Sequence, residues 1–176
     1  MNRIRIFSLV AVCFGSCCLT ISAQTPAPEA ERVAKIYMTA FFAGDVKTAA
    51  DLTDSRTLER IRETFLTDLL KADPESEKAI LTNFGAGATT ATLSQMDARS
   101  LYVALTEAHH RRNPKVFEAM KQTRFKVLGS APNPSGGVTV SFRITTPADG
   151  STTSKESGLM MRQVQGEWKV VGNAPP

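Results

Sequence analysis

Cysteine is almost missing from this 176-residue chain: there are three, at Cys13, Cys17 and Cys18, and none after residue 18. Beyond that point no internal disulfide and no cysteine-based zinc site is open to it. Histidine is scarcer still. His109 and His110 are adjacent, and neighbours on a helix point about 100° apart, so they do not grip one metal as an i, i+4 pair does. The stretch Gly85-Ala86-Gly87-Ala88 has no strand pattern before it and no lysine after it, which excludes a phosphate-binding loop. No serine sits in a nucleophile-elbow sequence. The net charge is only +4, a mild excess that argues for no particular polyanion, whereas nucleic-acid readers usually show a concentrated basic face. Composition therefore points to no cofactor and no metal.

What is present starts at the N-terminus. Arg3 and Arg5 precede an almost wholly apolar run from Ile6 to Ile21, and Ser22-Ala23 ends it with small residues. This is the three-part plan of a secretory signal peptide. Gly15, Ser16 and Thr20 interrupt the run, and a permanent membrane span needs about 20 consecutive apolar residues. Cleavage after Ala23 would leave 153 residues with a net charge of +2. The competing reading is lipid attachment at Cys17, which follows Phe14-Gly15-Ser16. Phenylalanine there fits poorly where lipoprotein signals carry leucine, so plain export, to the periplasm or outside the cell, is the expectation. A thiol-free mature chain of this length must then hold together by its core alone.

Residues 24–30, with Pro26 and Pro28, read as a linker, and 31–172 as one domain. Val33, Ile36, Tyr37, Ala40 and Phe41 recur at the spacing of one helical face. Gly44 stops that helix, and Asp45 caps a short second one running through Leu52. Leu58, Ile61, Phe65 and Leu69 mark a third, with Asp54 or Ser55 at its start. Asp73-Pro74-Glu75 opens a fourth. Gly85 to Thr92 reads as a loop or irregular strand. Ser94 to Asp97 has a capping-box outline before another helix that closes on His109-His110-Arg111-Arg112. Asn113-Pro114 restarts a last short helix. From Arg124 the period changes to two. Val138, Val140, Phe142 and Ile144 alternate with Thr139, Ser141, Arg143 and Thr145, and turns fall at Asn133 to Gly137, Pro147 to Gly150 and Gln165-Gly166. A third strand is predicted from about Ser154 to Val164, and a fourth from Glu167 to Val171. The expected fold class is α+β: helices over 31–123 packed on a curved four-stranded antiparallel meander over 124–172.

Three local features resemble the nuclear transport factor 2-like superfamily of α+β cones. The first helix runs into Phe41-Phe42-Ala43-Gly44-Asp45, Ala49-Ala50-Asp51-Leu52 follows, and the closing hairpin carries Gly166-Glu167-Trp168-Lys169-Val170. The chain is similar to small exported members of unknown function. The resemblance implies a cone whose sheet and helices enclose a cavity or a core. It does not imply one activity, because members include isomerases, cyclases, transport factors and binding modules. The helical stretch from Asp54 to Thr123 departs from the compact enzyme pattern.

Within that frame Tyr37, Phe41, Phe65, Phe125, Phe142 and Trp168 are the candidates to line a ligand cavity or to fill the core. Lys126, Arg143 and Lys169, with Arg162 beside them, are placed on the opposite sheet face, as a solvated surface or as a docking surface for an acidic partner or lipid headgroups. Acid–base chemistry would need a buried carboxylate, and the family's mouth would hold Asp45 or Asp51 with Tyr37. Asp45 reads better as a cap and Asp51 as an exposed position. No catalytic residue is therefore assigned. The function expected is an exported non-catalytic module binding a protein partner or a small apolar ligand. The alternatives are an isomerase- or cyclase-like enzyme and an envelope lipid-binding protein. Membrane contact is expected only with lipid at Cys17, and self-association as a homodimer is left open.

Overall fold

The computed structural model describes residues 27–148 and 151–173. The expected signal peptide, Cys17 and the turn residues Asp149 and Gly150 lie outside them. Among the described residues seven helices precede four strands: α1 (Pro28–Ala43), α2 (Val46–Asp51), α3 (Ser55–Leu70), α4 (Pro74–Thr82), α5 (Thr90–Ser94), α6 (Ala98–Arg112), α7 (Pro114–Gln122), β1 (Arg124–Pro132), β2 (Val138–Ala148), β3 (Ser151–Val164) and β4 (Glu167–Asn173). The α+β order read from the periodicity is the order found.

The helix starts have local causes. Pro28, Pro74 and Pro114 stand in first turns, where a missing N–H costs no hydrogen bond. Asp45, Asp73 and Asp97 each accept from the backbone N–H three residues on, at 3.1, 3.0 and 2.8 Å. Helix α1 begins at Pro28, so Pro28 to Ala30 belong to it and not to a linker. The stretch from Thr90 to Ser94 is helical where a loop or strand was expected, because Thr89 and Thr92 cap each other's backbone reciprocally. Asp97, not Ser94, opens α6. Strand β3 starts at Ser151, three residues earlier than its alternation suggested.

The sheet is a meander of order β1-β2-β3-β4, antiparallel throughout. Val140 faces Ser130 and Leu159, and Met161 faces Val138 and Val170. Register shifts leave one extra residue on β1, between Val127 and Gly129, and one on β4, between Val170 and Gly172, where a strand bends. Free edges invite unwanted strand pairing. At the β4 edge the chain between α2 and α3 lies alongside: the Val170 N–H donates to the Leu52 carbonyl, and the Asp54 N–H to the Val170 carbonyl, both at 2.8 Å.

Two cores form. In the first, Ala30, Val33, Ala34 and Met38 of α1 pack on Val140, Phe142, Ile144, Leu159, Met161 and Val170. Ala30 and Ala34 have no side-chain bulk and bring the helix close to the strands. In the second, Leu69, Ile80, Leu93 and Leu101 join α3 to α6 without the sheet. The first helix ends at Gly44, whose φ of 77° is left-handed and whose N–H reaches the Phe41 carbonyl at 3.2 Å. A methyl group at this glycine would overlap the Phe117 ring. Gly44→Ala is therefore expected to destabilise by at least about 1–2 kcal/mol from the backbone alone, read as a lowered urea midpoint with an unchanged slope.

Candidate functional site

The aromatic candidates do not converge on one cavity. Phe142 is 1% exposed at the centre of the first core, edge-on to Phe125 with ring centres 5.8 Å apart. Phe125, Tyr37 and Trp168 are half-buried around that core. Phe41 lies at its margin, stacked on Tyr37 and edge-on to Phe42. Phe65 is elsewhere, against Phe84 in the second core. The alternation that chose these residues identifies the inward face, but it cannot say that α3 turns its own stripe toward α6. Val140 and Met161 have no accessible surface, so no space as large as a water molecule opens onto them. The middle of the helix–sheet interface is close-packed.

The carboxylates thought able to act with Tyr37 are both committed elsewhere. Asp45 is exposed and caps α2, and the Thr48 hydroxyl and backbone N–H hold its pKa below the usual range. Asp51 is also exposed and takes two bonds from the Arg99 guanidinium, at 2.5 and 2.9 Å, which lower its pKa. Burial, and after it the neighbouring Tyr102, push the Tyr37 pKa far up. Burial raises Tyr102 as well. A tyrosine pair so placed stays neutral. It provides no base.

The sequence reading offered Asp54 only as a possible cap and missed its ion pair. Asp54 stands at the N-cap position of α3 but makes no capping bond there. It is 3% exposed, and its carboxylate accepts from Arg162 Nη2 at 3.0 Å. Asp and Ser before a helix look alike as caps, and the partner is 108 residues away. No local signal separates the two roles.

On the outer sheet face Lys126 and Arg143 are exposed cross-strand neighbours. Arg143 also bonds to Glu156 on β3 at 2.9 Å. Lys169 bonds to Glu167 at 2.9 Å and to the Asp51 carbonyl at 3.0 Å, so it is tied into the β4 edge. The three cations proposed for docking thus divide into an open pair, Lys126 and Arg143, and a structural one. A separate open groove of about 740 Å³ lies at the far end of the helical lobe, between α4 and residues 85–90. Glu77 faces into it and holds Thr90. Among the described residues no three His, Cys, Asp or Glu side chains gather as a metal site, and no helix is long and apolar enough to cross a membrane.

Among the described residues these features define a helix-on-sheet α+β domain with a packed interior and one strand face that no helix covers. No family description, curated protein or solved structure matches the chain.

Proposed function

We propose that this chain is an exported, non-catalytic binding module of the nuclear transport factor 2-like type, and that it docks an acidic protein partner on its outer sheet face. The close-packed helix–sheet interface carries this reading, because it leaves little room for an apolar ligand where the cone would hold one. The engagement of Asp45 and Asp51 in a cap and an ion pair removes the carboxylates that an isomerase or cyclase would use. Lys126 and Arg143 stand side by side on a face that no helix among the described residues covers, with Glu156 as the anion bonded to Arg143. Such pairs add long-range attraction for an acidic surface and speed encounter.

The test uses poly-glutamate as the acidic probe and anionic phospholipid vesicles as the membrane probe. In an NMR titration, poly-glutamate should shift the amides of β1 and β2. The double variant Lys126→Gln with Arg143→Gln, which sets no carboxylate opposite Glu156, should weaken that binding several-fold, at a stability within about 0.5–1 kcal/mol of the parent. Equal binding by the variant, or a preference for the vesicles, would overturn the assignment. Export is tested separately by mass spectrometry of the mature N-terminus, which should begin at Gln24.

A further inference from the structure

The corner between α6 and α7 holds an arrangement that the docking face does not use. The Phe117 ring lies against Gly44 at the end of α1, where the glycine's missing side chain leaves it room. The His110 ring stacks on Phe117, with centres 4.1 Å apart and planes 16° from parallel. The Lys121 ammonium sits 4.3 Å from the centre of the same ring. One aromatic side chain thus links α7 to both α6 and the α1–α2 junction, and a titratable ring and a fixed cation share it.

We propose that this corner is a pH-sensitive clip, in which protonation of His110 loosens the docking of α7. A cation gains by lying over an aromatic face, but Lys121 already occupies this ring. A second positive charge would be half-buried, close to that ammonium and 6.4 Å, ring to ring, from His109. Two exposed anions oppose this: Glu107 on the same helix, and Glu118 on α7, which bonds to the Lys121 ammonium at 2.9 Å and offsets part of its charge. From the α1–α2 corner comes Gly44, which is uncharged, and the neighbouring Asp45 carboxylate is held by Thr48. Burial, then His109, lower the His110 pKa, with Lys121 adding to them. A base whose pKa is lower folded than unfolded binds more protons when unfolded. Its stabilising contribution is therefore full above the ordinary imidazole range and is lost as pH falls from that range through the lowered folded pKa.

Hydrogen exchange of the α7 amides, corrected for the intrinsic effect of pH, tests this on the full mature chain. Between about pH 7.5 and about pH 5.5 the opening of α7 should rise several-fold, while the central strands respond less. His110→Phe keeps the stack without the proton and should abolish the response. Lys121→Gln, an exposed change that the fold should tolerate, and His109→Gln should each reduce it in part, since burial is the largest cause. An α7 that opens equally at both pH values, or that responds equally in His110→Phe and Lys121→Gln, would overturn the proposal. Neither result depends on any partner binding to the sheet.

Discussion

Phe142→Ala should lower the unfolding free energy by about 3–5 kcal/mol, the range for truncating a fully buried aromatic ring. Phe142 lies on the second strand of the meander, flanked on both sides by other strands, and its ring is 1% exposed. It meets Phe125 edge-on, an arrangement that contributes beyond area burial. The middle strands cannot shift inward to refill the space, because the hydrogen-bonded register holds them on both sides. Most of the cavity should therefore persist. A domain of this size has about 5–15 kcal/mol in total, so the variant should be marginal and should show its loss in urea midpoint and in Tm. Leu70→Ala is the control: Leu70 is 74% exposed and should change stability by less than about 0.5 kcal/mol. The comparison also bears on function. A Phe142 that lined a ligand cavity would give a variant of nearly normal stability and altered ligand capture. A large loss of stability is what a filled interior requires.

Periodicity made the sheet legible. Alternation chose the inward side chains, and Phe125, Val138, Val140, Phe142, Ile144 and Trp168 all lie in or against the first core. It chose them because one side of each strand faces helices and the other faces water, which leaves a two-residue signature. Gly44 and Asp45 were legible for a related reason, since a left-handed residue and a cap each have few chemical solutions. The limits are equally physical. The inward β3 residues Leu159 and Met161 went unnamed because they fall late in a strand that starts with a run of polar residues. Phe65 was assigned to the wrong cluster because an amphipathic stripe states that a helix has an apolar face but not which neighbour covers it. The capping of α5 by two threonines was overlooked because neither Thr89 nor Thr92 is followed by an apolar helical period. Asp54 was read by its position before a helix, whereas its partner comes from the far end of the chain.

That partnership supplies the second large effect. Arg162→Met should cost about 2–3 kcal/mol, and Asp54→Asn less, about 1 kcal/mol. The asymmetry follows from burial. Asp54 is 3% exposed, while the Arg162 side chain is 41% exposed. Removing the arginine leaves a carboxylate sealed between α3 and the sheet with its guanidinium gone. Removing the charge on the aspartate leaves an arginine that water still reaches, and the asparagine oxygen can still accept its bond. Because water reaches one partner, the cost stays below the 3–5 kcal/mol typical of breaking a wholly buried pair. The variant carrying both changes should then be more stable than Arg162→Met alone, since it no longer buries an unpaired charge. Urea unfolding of the four proteins yields the coupling energy, expected at about 1–2 kcal/mol. Strictly additive losses would mean that the pair contributes nothing to the α3–sheet junction. The backbone bonds of Leu52 and Asp54 to Val170, and that of the Thr57 hydroxyl to the Val171 carbonyl, would then hold it alone. A positive coupling would place the ion pair beside those bonds as a restraint on the sheet's last edge.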